Sequence, residues 1–191
     1  MSTVIGIDPS LTGTGVAVIH TDDHLVIETS TLVTKPSGAT LTNRLMRLRT
    51  IVREVDRWAL MLDSADTRAD LVVIEAPSLG QARQGGTLDR HGLWWLILDR
   101  LYTLDIPVVA VTPAARAKYA TGKGNAAKDA VLLAVARRWP QAPVTNNNEA
   151  DAVVLAAMGA DWLGSPVGDV PKAHRDALAK VAWPTPKEMS A

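Results

Sequence analysis

Three acidic residues stand where acids are costly. Asp8 closes the apolar run Val4-Ile5-Gly6-Ile7, Glu75 closes Leu71-Val72-Val73-Ile74, and Asp151 opens the run from Ala152 to Ala157. A carboxylate set among apolar elements loses hydration and needs a cation or hydrogen-bond donors to compensate it. Each has an ordinary use when taken singly: Asp8 before Pro9 as a turn former, Glu75 as a surface residue at a strand end, and Asp151 as an acid favoured near a helix N-terminus. Three together, in a chain with no Cys and four scattered His, point to a shared site for a hard cation. Carboxylate oxygens suit Mg²⁺ or Mn²⁺. Two such ions ~3.5–4 Å apart, bridged by a shared carboxylate, can activate water and stabilise the leaving oxygen of a phosphodiester.

A second group complements the acids. Between Thr112 and Trp139 lie Arg116, Lys118, Lys123, Lys128, Arg137 and Arg138 against Asp129 alone, five net positive charges. Within this stretch Thr121-Gly122-Lys123-Gly124 stands just ahead of a predicted helix. That arrangement offers backbone N–H groups and a positive dipole end to a phosphate. A Gly-x-Gly by itself is weak, and charge runs are usually solvated faces. A basic patch beside an acidic metal site is more telling, because the ion neutralises the reacting centre while Lys and Arg neutralise the flanking backbone.

These residues need elements to position them. Apolar runs at Val4–Ile7, Val16–Ile19 and Leu25–Val33 follow one another closely and predict an antiparallel meander with turns at Gly13-Thr14-Gly15 and Asp22-Asp23. Leu41, Leu45, Leu48, Val52, Val55 and Ala59 recur every three or four residues, predicting an amphipathic helix from Leu41 to about residue 62. Leu71–Ile74 is a buried strand, followed by a loop through Gly86 and a helix from about Thr87 to Leu104. Ile106–Val111 is another buried strand, Pro113 opens a helical turn, and helices run from about Ala126 to Trp139 and Asn148 to Leu163. The pattern predicts an α/β domain over residues 1–163, with a mixed sheet of three antiparallel strands then two parallel ones, flanked by helices. Residues 164–191 form a proline-containing tail with room for one short helix. If the first and fourth strands are parallel neighbours, Asp8 and Glu75 end about 5 Å apart, and a helix packing its first turn there brings Asp151 to them.

Composition narrows the classes. The 191 residues are 47% hydrophobic and 21% charged, as in a globular chain. With six Trp, two Tyr and no Phe, the core must be built of Val, Leu, Ile and Ala. Twenty basic residues balance twenty acidic ones, which excludes a wholesale basic coat but not a local patch. The absence of Cys excludes disulfides, zinc–thiolate sites and thiol nucleophiles. The N-terminus lacks the charged start of a secretory signal, and no apolar run approaches a membrane span. The expectation is a soluble, cytoplasmic protein with no membrane partner.

Ile5-Gly6-Ile7-Asp8-Pro9-Ser10 with Gly13-x-Gly15, Val73-Ile74-Glu75, and Glu149-Ala150-Asp151-Ala152, in that order, resemble the RuvC family of Holliday junction resolvases. Lys118, Thr121-Gly122-Lys123-Gly124 and Lys128 are similar to that family's segment ahead of its basic helix. The resemblance spans roughly Val4 to Leu163. It implies an RNase H-like fold, a homodimer, and Mg²⁺-dependent (with Mn²⁺ substituting) paired nicking of four-way DNA junctions. Asp8, Glu75 and Asp151 fall on the family's catalytic acids, and Lys118 and Lys128 on basic residues that serve DNA contact. The step from Lys118 to Gly122 is one residue shorter than in the family.

One position departs from the pattern. The family carries Asp or His three residues before its last acid, where this chain has Asn148. On a helix Asn148 shares a face with Asp151, whereas Glu149 is rotated by about 100°. Three readings stay open: Asn148 ligates weakly through its neutral oxygen, Glu149 replaces it at the helix start, or an Asp has been changed to Asn, stopping cleavage. Asn148 as a plain N-cap is as good a reading as ligation. In the loop after Glu75, Leu79 is the apolar candidate for a wedge into a junction, and Arg83 and Arg90 are candidates for phosphate contact. Of Trp94 and Trp95, which point to different faces, one suits the core and the other a dimer interface.

Three other functions compete. Ile-Gly-Ile-Asp with Gly-Thr-Gly also resembles the first phosphate loop of the actin and sugar-kinase superfamily. That fold needs a second domain and a second loop, so no nucleotide cofactor is expected. An RNase H-like nuclease acting on other branched DNA or on RNA is the second. A non-catalytic junction-binding protein, made credible by Asn148, is the third.

Overall fold

The computed structural model describes residues 2–21, 25–36, 38–60, 69–77, 86–185 and 189. Five strands form one sheet: β1 (Thr3–Asp8), β2 (Gly13–Thr21), β3 (Leu25–Val33), β4 (Leu71–Glu75) and β5 (Val108–Val111), in the order β3-β2-β1-β4-β5. β1 pairs antiparallel with β2 and parallel with β4, and β4 pairs parallel with β5. The three-plus-two arrangement is as the sequence predicts.

Each face of the sheet carries its own helices. The period of two along β1 sends Ile5 and Ile7 toward α1 (Leu41–Leu60) and α2 (Thr87–Thr103), and Val4 and Gly6 toward α5 (Asn147–Trp162). α5 is buried on every side from Glu149 to Asp161, as a helix apolar all round must be. It lies on β1, β2 and β4 with α3 (Pro113–Thr121) and α4 (Lys128–Arg138) against it.

Glycine sets how closely α5 approaches. A Cβ on Gly6 would lie 2.0 Å from the carbonyl oxygen of Ala152, and one on Gly15 would lie 2.1 Å from that of Asn148. This corrects the turn expected at Gly13-Thr14-Gly15. All three residues lie inside β2, with Gly15 opposite Asp8, and the chain turns at residues 9–12 instead. The buried Thr14 hydroxyl fastens that turn, donating to the Ser10 carbonyl and accepting from the Ser10 N–H. The turn expected at Asp22-Asp23 lies outside the described residues.

Other boundaries shift for local reasons. Pro113 opens a nine-residue helix, because the Thr112 hydroxyl caps it by accepting from the Ala115 N–H at 3.2 Å. Gly122, at φ 81°, ends it in the left-handed region that favours glycine. β5 starts at Val108 rather than Ile106, after Pro107, which has no N–H to give the ladder. On α1 the buried residues are Leu48, Ile51, Val55 and Ala59, while Leu41 and Leu45 are exposed.

After α5 the chain packs back onto the domain. Val167, Val170 and Ala177 are buried in the α5-side core, and Trp183 stacks on Trp162 with ring centroids 5.0 Å apart. The short helix α6 (Lys172–Arg175) pairs Arg175 with the buried Asp161 at 2.5 Å. No helix among the described residues is long and apolar enough to cross a membrane.

Candidate active site

Asp8 and Glu75 end adjacent parallel strands. Register Gly6↔Val73 and Ile7↔Ile74, carried one residue further, puts both carboxyl-bearing positions side by side on the α5 face. Asp151 stands one turn into α5 on the helix side of the same layer, 1% exposed. The three predicted acids therefore converge from three elements.

Between them stands Arg116. It projects from α3, is buried, and bridges two of the acids, donating through Nε to Glu75 Oε2 and through Nη1 to Asp151 Oδ1. Expected among the DNA contacts, Arg116 instead has its guanidinium inside the acidic cluster, because α3 packs its inner face on α5 beside the end of β4. The indole N–H of Trp94 donates to the Glu75 carbonyl at 3.0 Å and fixes the strand end that carries the acid.

One guanidinium does not compensate three carboxylates. Burial, then the charges of Glu75 and Asp151, push the Asp8 carboxyl well above the usual range despite the opposing pull of Arg116 and Lys128. Burial likewise raises Asp151 to about 6, outweighing Arg116. The Arg116 guanidinium is desolvated too, but the acids around it outweigh that and hold it protonated. Asp151 Oδ2 is buried without a hydrogen-bond partner. Among the described residues no three His, Asp or Glu side chains stand as a ready cage for an ion, since Glu75 and Asp151 each turn an oxygen onto Arg116. The donor set nonetheless fits a hard divalent cation. It offers two buried carboxylates and a half-buried third, excess negative charge, and one carboxylate oxygen with nothing to accept from.

Asp8 and Glu75 open onto a cleft of about 380 Å³, which the buried Asp151 does not line. Asp8, Glu75 and Arg116 form its floor, Asn148 and Lys128 one wall, and Arg90, His91 and Trp94 of α2 the other. Asn148 is not the N-cap of α5. Asn146 is, its Oδ1 accepting from the Glu149 N–H at 3.1 Å, which leaves the Asn148 side chain over Gly13 at the cleft. Glu149, expected as an alternative ligand, turns away. Its carboxylate accepts from the Thr145 N–H at 2.7 Å, the Thr145 hydroxyl at 2.9 Å and the Thr31 hydroxyl at 3.0 Å. Burial raises its pKa, but these donors and Asn146 outweigh that and hold it below the usual carboxylate value. Glu149 thus braces the start of α5 against β3, the direction that the helical rotation from Asn148 requires.

The basic residues divide. Lys128, exposed at the first position of α4, lines the cleft and is close enough for its charge to act on Asp8 and Asp151. Lys123 is exposed on the loop between α3 and α4 and lines a separate groove with Arg137, Arg138 and His174. Lys118 is half-buried on α3 and does not line the cleft. Arg83 and Leu79 lie outside the described residues. The sequence reading missed Arg116 as a counter-ion, Trp94 as a brace and His91 in the cleft wall. The signal for the last two was position alone, since α2 is the first helix after the acid-bearing strand.

No family model and no curated protein matches the sequence. Solved structures do match. Thermus thermophilus RuvC superposes with a TM-score of 0.65 at 21% identity, covering 87% of this chain and 99% of that one. The same protein in complex with a Holliday junction substrate gives 0.61 at 21% identity, covering 88% and 100%. The fowlpox virus Holliday junction resolvase gives 0.53 at 11% identity, covering 84% and 99%. With its three antiparallel and two parallel strands flanked by helices, this chain has the RNase H-like α/β fold of RuvC, and its structural neighbours are Holliday junction resolvases at modest identity.

Proposed function

We propose that the chain belongs to the RuvC family and is a homodimeric, metal-dependent, structure-selective endonuclease. It resolves four-way DNA junctions by paired phosphodiester hydrolysis, leaving 5′-phosphate and 3′-hydroxyl ends. The observation that carries the reading is the clustering of Asp8, Glu75 and Asp151 around Arg116 at a cleft that Asp8 and Glu75 line, in a fold whose neighbours include resolvases, one of them solved on a Holliday junction. Asp8, Glu75 and Asp151 would hold Mg²⁺ or Mn²⁺, with Asn148 adding a neutral oxygen. When bound, the metal supplies an activated water and charge stabilisation for the leaving oxygen. Lys128 at the cleft and Lys123 beyond it would neutralise and position the DNA backbone. Trp94 keeps the Glu75 end of β4 aligned.

The dimer reading draws on α2. Leu88, Trp95 and Tyr102, seven residues apart, form an outward apolar stripe that is 75%, 65% and 81% exposed, while Trp94 turns inward to Glu75. Self-association through this stripe would give two related active sites, as paired nicks across a two-fold junction require. Asn148 favours a second reading, a junction-binding protein that does not cut, since a neutral amide stands where the family has a charged or imidazole ligand.

The test is cleavage of a labelled four-way junction with and without Mg²⁺ or Mn²⁺, comparing this chain with Asn148→Asp. Cleavage by both means the three acids and the amide suffice. Cleavage by the Asp form alone means a disabled nuclease. No cleavage by either, on junctions, flaps or RNA, sinks the enzyme reading and leaves a binding protein.

A further inference from the structure

Among the described residues Arg116 is the one buried cation in the acidic cluster, and its position is hard to reconcile with a passive role. Its two donors go to carboxylates on different elements, Glu75 at the end of β4 and Asp151 in α5. A planar guanidinium presents its donors in a rigid fork that holds two carboxylates at a fixed separation, whereas the ammonium of Lys is a compact point charge on a flexible stem. These are two of the three carboxylates that the proposed function assigns to metal. The guanidinium's positive charge stands against the same carboxylates that an ion would use, so the two cations repel each other across the site. Lys128, the other cation whose charge reaches the cluster, stands exposed at the cleft wall and forms no ion pair with the acids. The orphaned Asp151 Oδ2 shows that the guanidinium satisfies only part of what the acids need.

We propose that Arg116 is a tethered cation that holds the acidic site together in the metal-free protein and is displaced from Glu75 and Asp151 when a divalent ion enters. Metal binding is then an exchange of one cation for another rather than the filling of an empty cage. Arg116 suppresses affinity for the ion while protecting the fold from its own uncompensated acids. It acts as a positioning residue, and the inference rests on the metal reading above.

Two measurements test it without recourse to cleavage. Calorimetric titration with Mn²⁺ compares the full-length protein with Arg116→Met and Arg116→Lys. The Met form should bind about tenfold tighter or more, the scale of one charge-assisted hydrogen bond lost from the competing state, with the Lys form between. The Met form should also melt lower without metal and gain more from Mn²⁺ than the parent does. Equal or weaker Mn²⁺ binding by folded Arg116→Met overturns the proposal. The second measurement uses the unsubstituted protein, so it stands even if the Met form does not fold. The Arg116 Nε–H resonance, followed by ¹⁵N NMR during Mg²⁺ titration, should move and lose exchange protection at the half-saturation found by calorimetry. If the ion binds and that resonance stays in place, the displacement idea is wrong while the metal reading survives. If neither protein binds Mn²⁺ or Mg²⁺, both fall together.

Discussion

Substituting Gly6 by Ala tests whether the close approach of α5 is what assembles the acids. The added Cβ would sit 2.0 Å from the Ala152 carbonyl oxygen and 2.6 Å from the Ala156 nitrogen, both backbone atoms that no side-chain rotation can move away. Restoring ordinary contact at 3.4 Å requires α5 and β1 to separate by about 1.4 Å. Asp151 precedes Ala152 on the same rigid helix, so it travels with it, away from Glu75 and Asp8. Overpacking of this kind costs about 1–3 kcal/mol, and toward the upper end here because backbone rather than side chain must yield. A reacting group misplaced by about 1 Å costs on the order of a hundredfold in rate. Urea unfolding monitored by Trp fluorescence and single-turnover junction cleavage read the two quantities in one preparation. Gly92→Ala, inside α2, is the control: its Cβ meets Leu48 Cδ1 of α1 at 3.6 Å, an ordinary contact. It should be neutral or up to about 1 kcal/mol stabilising, since Ala is the better helix former. If Gly6→Ala unfolds at the parent's urea midpoint and leaves cleavage unchanged, the packing argument is refuted.

Other outcomes follow from the same geometry. The folded pKa values of Asp8 and Asp151 are raised, so the folded state holds more protons than the unfolded one between about pH 4 and 6. The Asp151 contribution to stability is therefore present at low pH and lost as pH rises through about 6, and Asp8 acts in the same direction. In EDTA the melting temperature should be higher at pH 5 than at pH 7, and a flat or inverted profile would contradict the burial of these acids. Glu149 has the opposite sign, its lowered pKa giving stability that disappears on acidification below about 4.5. Glu149→Ala, which strands the Thr145 N–H, should cost about 1–3 kcal/mol in chemical denaturation, most of it gone at acid pH. Lys123→Ala and Lys128→Ala should each weaken junction binding across sequences and lower the salt slope by about one. Unchanged affinity and slope in a fluorescence-anisotropy titration would remove those lysines from the interface.

Local periodicity made much of this protein legible in its sequence. The uninterrupted apolar runs Val4–Ile7 and Leu71–Ile74 each end on an acid, and an all-apolar helix after Asp151 has to be buried. These are short-range consequences of backbone geometry, so the three acids and the order of the strands could be read without any long-range contact. Partner choice was not legible, because partners come from far along the chain. Arg116 reads as one more cation in a basic stretch until α3 packs it against residues 41 and 35 positions away. Glu149 and Asn148 are adjacent and equally plausible as ligands until Thr31, 118 residues before Glu149, takes the carboxylate. Gly13 and Gly15 carry the composition of a turn, but at Gly15 the glycine serves the approach of α5, and that helix comes more than 130 residues later. The sequence by itself determined which groups could do chemistry and on which elements they ride. Only the tertiary structure decided which way each side chain faces and what it pairs with, because desolvation and charge compensation depend on neighbours that folding alone brings within a few ångströms.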